Sequence, residues 1–185
     1  MLQTIWLIHP QAEMCAAFEN RFAGLAGVMV IQSRLEDLPG HDAFVTAGNA
    51  FGMMTAGIDA AVVRLYGPQL MQRIQHRIMD EYLGEQPIGT AFVEPTANAH
   101  CPFLVHAPTM RVPGSIAGTD KVYAAAWAAL LAIHAHNRVA ESKIETAAFP
   151  ALGTGFGGVA YEEAARQMAA AYRHWVSPPH GLDRD

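Results

Sequence analysis

The sequence Phe149-Pro150-Ala151-Leu152-Gly153-Thr154-Gly155-Phe156-Gly157-Gly158 decides the fold, because it joins a predicted strand over residues 144–149 to a predicted helix over residues 161–175. Glycine at these positions lets backbone N–H groups turn toward a ligand and lets that ligand approach closely. The N-terminus of the following helix adds partial positive charge. The segment is therefore typical of a diphosphate site, and a plain strand–helix connection without a ligand is the alternative.

Two common phosphate-binding motifs do not fit this segment. Gly153, Gly155 and Gly158 satisfy the spacing G-x-G-x-x-G, but the dinucleotide fingerprint also requires an acidic residue about 20 residues further on, after another strand. Here the chain enters its last predicted helix instead. A P-loop requires a lysine followed by serine or threonine, and the segment contains no lysine. The Rossmann and P-loop interpretations are therefore rejected.

A second strand–loop–helix segment runs from Asp42 to Asp59. A predicted strand ends at Thr46, small residues follow, and a helix is predicted from about Ile58. Asn49 can donate and accept hydrogen bonds, which suits the paired hydroxyls of a ribose. Asp59 lies in the first helical turn, where the helix dipole favours an ionised carboxylate that accepts from a ribose hydroxyl or activates water. A structural role stays open for both residues, Asn49 in the turn and Asp59 at the helix start.

Short strand-like runs alternate with helical ones along the chain, which predicts a three-layer α/β/α domain over residues 1–176 and a flexible tail over residues 177–185. The helix over residues 120–136 is apolar nearly all round, Leu131 included, and is expected to be deeply buried. A helical pattern over residues 58–82 contains Pro68, which suits a first helical turn or a break between two helices. Further strands are predicted over residues 4–9, 28–32, 43–46, 90–95 and 103–107.

The composition limits the class of protein. The 185 residues are 51% hydrophobic and 16% charged, which excludes a disordered chain, and the net charge is −5 without a basic cluster, which argues against binding through a nucleic-acid backbone. No signal peptide or membrane span is apparent, and Cys15 and Cys101 fit reduced thiols, so we expect a cytoplasmic protein without a membrane partner. The histidines lack metal-ligand spacing, and we expect no metal and no cofactor.

The two loop segments, in this order, resemble the macro-domain family. The first family signature is matched from Asp42 through Asn49 to Gly57-Ile58-Asp59, and the second by the segment from Ala148 to Gly158. Gly89-Thr90-Ala91 and Val105-His106-Ala107-Pro108 resemble its central strands. The form Ala107-Pro108-Thr109-Met110-Arg111 looks like a bacterial and phage branch of the family.

The resemblance implies a central mixed, mostly parallel sheet with ADP-ribose held in a cleft between the two glycine-rich loops. The positions of Asn49 and Asp59 are catalytic in hydrolytic members of the family. The resemblance therefore implies that Asn49 orients the substrate and that Asp59 acts as general base or positions the water. The implied ligand-binding residues are Ala47, Gly48, Asn49, Met54, Thr55, Ala56, Gly57, Ile58, Pro108, Gly153, Thr154, Gly155, Phe156, Gly157 and Gly158. The implied partners are ADP-ribose or a related nucleotide, and an ADP-ribosylated protein or nucleic acid as its carrier.

The chain departs from the family pattern at four places. Thr46 replaces a first asparagine, the loop Met54-Thr55-Ala56-Gly57 is bulkier than the usual glycine run, and Gly157 replaces an aromatic residue of hydrolytic members. Ser33 aligns with the aspartate that contacts adenine. Three interpretations stay open: a binder of ADP-ribose, a hydrolase of ADP-ribosyl or O-acyl-ADP-ribose linkages, and a macro-like domain whose cleft has drifted to another nucleotide or to a protein-interaction role.

Overall fold

The computed structural model describes residues 1–179 and residue 181. Over these residues the chain forms six strands and five α-helices. The strands are β1 (Thr4–His9), β2 (Val28–Gln32), β3 (Ala43–Thr46), β4 (Phe92–Pro95), β5 (Phe103–His106) and β6 (Thr146–Pro150). The helices are α1 (Ala12–Arg21), α2 (Gly57–Tyr66), α3 (Pro68–Tyr82), α4 (Lys121–Val139) and α5 (Tyr161–Val176), with a short 3-10 helix at Leu35–Asp37.

The six strands form one sheet in the order β2-β1-β6-β3-β5-β4. All neighbouring pairs are parallel except β4 and β5, which pair antiparallel at one edge. The sheet is therefore mixed and mostly parallel. The carboxyl ends of β2, β1, β6, β3 and β5 consequently lie along one side of the sheet, where open α/β sheets bind ligands.

Helices cover both faces of the sheet, which makes the three-layer α/β/α fold. Successive residues of a strand point to opposite faces: Ala43 and Val45 of β3 pack in the core under α1, α4 and α5, whereas Phe44 packs in the core under α2 and α3. Both cores consist of fully buried aliphatic and aromatic side chains. Helices thus pack on both faces of the sheet, and the loops at the strand ends lie at its edge.

The predicted strands over residues 4–9, 28–32 and 43–46 are confirmed. The helical pattern over residues 58–82 is two helices, since Gly67 has φ +88° and Pro68 begins α3. The expected deep burial of the helix after residue 120 is wrong on one side: α4 packs through one face, and Leu131 is 44% exposed. The division into a domain over residues 1–176 and a tail over 177–185 stays a prediction, and residues 180 and 182–185 of that tail lie outside the described residues.

Among the described residues, none of the helices combines the length and the apolar character needed to cross a membrane. Both cysteines, Cys15 and Cys101, are buried free thiols. No three histidine, cysteine or acidic side chains converge on a common point in the described part of the chain.

Candidate functional site

A cavity of about 580 Å³ opens at the carboxyl end of the sheet. Loops after five parallel strands line it, so that it extends along the strand ends from β2 to β5. The part of the cavity between the ends of β2 and β3 spans three strand spacings, or about 14 Å. The walls of the cavity include His9 and Pro10 at the end of β1, 33–36 after β2, 47–49 and 55–59 after β3, Thr109 and Met110 after β5, and 153–157 after β6.

The loop after β6 lines this cavity and contains unpaired backbone donors. Gly153 and Gly158 have positive φ values of 76° and 62°, and they close the loop through bonds from Val159 N to Gly153 O (3.1 Å) and from Gly158 N to Gly155 O (3.0 Å). Within the described residues, the N–H groups of residues 155, 156 and 157 have no protein acceptor. Consecutive N–H groups of this kind form an anion-binding concavity.

The N-terminus of α2 faces the same cavity from the other side. Its N-cap residue, Ala56, has extended backbone and offers no side-chain cap. The N–H groups of Gly57, Ile58 and Asp59 therefore lack the partner that a serine or aspartate cap supplies. The Phe156 ring lies close to this helix start, because a Cβ added at Gly57 would be 3.9 Å from Phe156 Cε2. The two loops thus approach each other across the cavity.

Asp59 is the buried acid of the site. Its side chain is 8% exposed, it lines the cavity, and one carboxylate oxygen accepts a hydrogen bond from the Thr46 hydroxyl. Burial raises the pKa of Asp59 from 3.8 to about 6, while the Thr46 hydrogen bond acts in the opposite direction. Thr46, one of the departures from the family pattern, is therefore the partner of this carboxylate.

Asn49 shapes the loop after β3. Its Oδ1 accepts from the N–H groups of Phe51 (3.1 Å) and Met53 (3.2 Å), and its Nδ2 donates to the Met53 carbonyl (2.9 Å). The side chain therefore holds the turn, which is the structural role left open by the sequence. The second Nδ2 hydrogen has no acceptor among the described residues. The predicted role of Asn49 in orienting a substrate stays a prediction and rests on that one N–H.

His106 lies below the cavity floor and is fully buried. Its Nδ1 donates to Gln86 Oε1 at 2.7 Å, its Nε2 has no partner in the described residues, and burial lowers the pKa of the imidazole to about 4. The ring is neutral at physiological pH. Nε2 faces Gly48, where an added Cβ would lie 2.5 Å from Nε2 and 3.5 Å from an Asp59 carboxylate oxygen. Gly48 is thus required by the close approach of His106.

The comparisons with known proteins fit this arrangement. The sequence model of the family described as Macro domain matches residues 45–168, which include both loops and Asp59. The chain belongs to the macro domain family. An uncharacterized protein of Aeropyrum pernix is 29% identical over 130 residues, which are 70% of this chain and 62% of that protein. This macro domain therefore spans less than two thirds of the length of that relative.

Solved macrodomains share the fold. A variant of the Oceanobacillus iheyensis macrodomain solved with ADPR has a TM-score of 0.60 at 21% identity, covering 71% of this chain and 69% of that one. The Trypanosoma brucei macrodomain in complex with ADP-ribose has a TM-score of 0.60 at 17% identity, covering 74% and 52% of the two chains. The assignment to a bacterial and phage branch of macro domains stays a prediction.

Most of the residues predicted to bind the ligand line the cavity of this macro domain. They are Ala47, Gly48, Asn49, Thr55, Ala56, Gly57, Ile58, Gly153, Thr154, Gly155, Phe156 and Gly157, together with Asp59. Three predicted residues do not line it. Met54 is 2% exposed and packs in the core under α2 and α3, so that its neighbour Met53 lines the cavity instead. Pro108 is buried, and Gly158 is exposed beside Ser115, outside the cavity.

Gly157 has no space for a side chain. An added Cβ would lie 2.3 Å from the carbonyl oxygen of Gly153 and 2.9 Å from Ile116 Cγ1. The aromatic residue expected at this position in hydrolytic members is therefore sterically excluded. The aromatic side chain of this loop is Phe156, which is 62% exposed and lines the cavity.

The sequence did not single out the charged residues at the β2 end of the cavity. Arg34 and Glu36 line this end, and Arg64 of α2 joins them. The place of Arg34 in the sequence could have indicated a ligand contact, because Arg34 lies two residues after the carboxyl end of a parallel strand. No sequence pattern indicates Arg64. Arg111 forms a surface ion pair with Glu85 through two bonds at 2.7 and 2.9 Å.

Proposed function

We propose that this macro domain binds ADP-ribose, free or attached to a carrier, in the cavity at the strand ends. One observation carries the proposal: two sets of backbone N–H groups without protein acceptors, at residues 155–157 and at the start of α2, line the same cavity. Such groups bind a diphosphate through partial charges and directed hydrogen bonds. Local donors are needed because the chain carries a net charge of −5.

The dimensions and neighbours of the cavity support the same ligand. Its volume, about 580 Å³, lies in the range of about 300–1,000 Å³ that is usual for small-molecule sites. Macrodomains with the same fold have been solved with ADPR and with ADP-ribose. A nucleotide that lies between the two loops reaches Asp59 with one ribose and the β1 and β2 ends with the other.

Calorimetric titration with ADP-ribose, with AMP and ADP as controls, tests the proposal. We expect micromolar or tighter affinity for ADP-ribose, about −8 kcal/mol, and weaker binding of both fragments. Absence of heat together with absence of a thermal shift would reject ADP-ribose as the ligand. That result would favour the drifted-cleft interpretation.

A substitution at the N-cap of α2 separates binding from folding. Ala56 is exposed, has extended backbone and lines the cavity. Ala56→Asp supplies a helix cap, which stabilises the fold by about 1 kcal/mol, and places a negative charge where the diphosphate is expected. We therefore expect Tm to rise or stay constant while ADP-ribose affinity falls at least tenfold. Ala56→Ser supplies the cap without the charge and is the matched control.

Hydrolysis of an ADP-ribosyl or O-acyl-ADP-ribose linkage is the second candidate function, favoured by the buried carboxyl of Asp59. A pKa of about 6 suits a general base at neutral pH. In this role Asp59 accepts a proton from a water molecule, whose oxygen forms a bond to the carbon under attack as the bond to the leaving group breaks.

Comparison of Asp59→Asn with wild type decides between a binder and a hydrolase. Asparagine has nearly the same shape but cannot accept the proton of water. For a hydrolase we expect turnover to fall by orders of magnitude while ADP-ribose affinity changes little. Release of ADP-ribose from a modified protein, followed chromatographically, measures the turnover. A pure binder releases none, either before or after the substitution.

A further inference from the structure

The end of the cavity beside β2 carries an arginine without a carboxylate partner. Arg34 is exposed, lines the cavity and makes no ion pair within residues 1–179 and 181. The neighbouring Arg64 makes one contact to Glu36, at 3.4 Å, and the side chains of Arg64 and Glu36 are 67% and 40% exposed. Two guanidinium groups and one carboxylate therefore surround this end, which leaves one positive charge on a protein that is acidic as a whole.

The adenosine part of the proposed ligand extends toward this end. The free N–H groups that suit the diphosphate lie after β6 and β3, in the middle of the cavity, and Asp59 lies on the β3 side. The walls toward β1 and β2 include the apolar side chains of Ile8, Pro10 and Leu35 beside the charged ones. An adenine base fits apolar walls, and its ribose then lies close to residues 33–36.

The polar groups at this position suit a phosphate better than two free hydroxyls. A ribose diol is best bound by a carboxylate, which accepts from both hydroxyls, whereas a guanidinium has donors alone. The Ser33 hydroxyl donates to the Arg34 carbonyl at 2.9 Å, and the carboxylate that lines this end, Glu36, contacts Arg64. A guanidinium fork matches the oxygen atoms of a phosphate monoester, which carries about −1.5 to −2 charge at neutral pH.

We propose that the protein prefers ADP-ribose that carries a phosphate monoester on the adenosine ribose, at the 2′ or the 3′ hydroxyl, and that Arg34 binds this phosphate. The proposal rests on the proposed function, because it assumes that ADP-ribose occupies the cavity. It names the substrate class of that site: nucleotides derived from phosphorylated rather than plain dinucleotide precursors.

A four-way comparison of affinities tests the proposal. ADP-ribose and ADP-ribose 2′-phosphate are titrated calorimetrically into wild type and into Arg34→Ala. We expect wild type to bind the phosphorylated ligand about three- to tenfold more tightly, as an exposed charge-assisted contact provides, and Arg34→Ala to lose that preference while its affinity for ADP-ribose is retained. Arg138→Ala is the matched control, because Arg138 is also exposed but lies on α4, away from the cavity.

The outcomes separate the possible roles of Arg34. If its guanidinium stacks on the adenine, Arg34→Ala weakens both ligands by the same factor, and the phosphate proposal is overturned. Equal affinity of wild type for the two ligands also overturns it and leaves the proposed function intact. If neither ligand binds, the proposed function itself fails.

Two further measurements define the phosphate position and the role of Arg64. Adenosine 2′,5′-bisphosphate and adenosine 3′,5′-bisphosphate, compared with AMP, show which hydroxyl carries the recognised phosphate. Glu36→Gln removes the carboxylate that contacts Arg64, so we expect it to increase the preference for the phosphorylated ligand. A decrease would contradict the placement of the phosphate at this end.

Discussion

Replacement of Gly157 by alanine tests the geometry of the loop after β6. The added Cβ would lie 2.3 Å from the Gly153 carbonyl oxygen, about 1 Å inside the usual carbon–oxygen contact of ~3.3 Å. The obstacle is backbone, and the Gly157 carbonyl is itself fixed as acceptor of the Ile116 N–H at 2.9 Å. The loop must therefore shift, and overpacking of this kind costs about 1–3 kcal/mol.

The measurement is thermal denaturation with calorimetry of ADP-ribose on the same samples. For a chain of 185 residues, a loss of about 2 kcal/mol lowers Tm by roughly 4–8 °C. We expect this decrease and, because the shift disturbs the N–H groups of residues 155–157, a loss of ADP-ribose affinity as well.

Gly155→Ala is the control within the same loop. Nothing lies within 4 Å of a Cβ at Gly155, and its φ is not positive. We expect its Tm to stay unchanged or to rise slightly, since alanine restricts the unfolded chain. If Gly157→Ala and Gly155→Ala have the same Tm, the steric argument is refuted, and with it the reason given for the absence of an aromatic residue at position 157.

Three further predictions concern the cavity floor and wall. The pKa of Asp59 is raised from 3.8 to about 6, so the neutral carboxyl stabilises the fold below pH 3.8 and this contribution is lost as the pH rises through 6. In urea denaturation we expect Asp59→Asn to be as stable as wild type near pH 3.5 and up to about 3 kcal/mol more stable than wild type at pH 7.5. A stability difference that does not depend on pH would contradict this prediction. Gly48→Ala should lower Tm by several degrees, because its Cβ would lie 2.5 Å from the fully buried His106 ring, whereas Gly114→Ala, whose nearest neighbour is at 3.8 Å, should not. Phe156→Ala should weaken ADP-ribose about three- to tenfold, as expected for a lost aromatic contact, with Tm unchanged because the ring is 62% exposed; unchanged affinity would remove Phe156 from the site.

The fold could be predicted from the sequence because local patterns and tertiary packing agree. The strands at Thr4–His9, Val28–Gln32 and Ala43–Thr46 are short apolar runs whose bounds agree with the prediction. The exposed side of α4, with Leu131, could not be predicted, because an all-round apolar helix carries no signal for the face that packs. Strand order was likewise absent from the pattern, since parallel neighbours are distant in sequence.

The sequence indicated the two loops of the candidate site but not the conformation of those loops. Glycine and small residues identified both loops. The sequence could not decide between Met53 and Met54, because adjacent residues of an irregular loop point in directions that no periodicity fixes. The contact between Gln86 and His106 joins residues on separate elements. Arg64 lines the cavity because α2 packs beside the end of the cavity near β2. The sequence pattern of α2 does not indicate this packing.

The strand that comes last in the sequence lies at the centre of the sheet. β6 pairs with β1 on one side and with β3 on the other, and so links the half made of β2 and β1 to the half made of β3, β5 and β4. Asp42 fixes its entry by accepting the N–H groups of Glu145 and Thr146, both at 2.8 Å. During synthesis the facing edges of the two halves stay unpaired until residues 146–150 leave the ribosome. Such edges favour aggregation, so the nascent chain exposes two aggregation-prone strand edges until β6 has been synthesised.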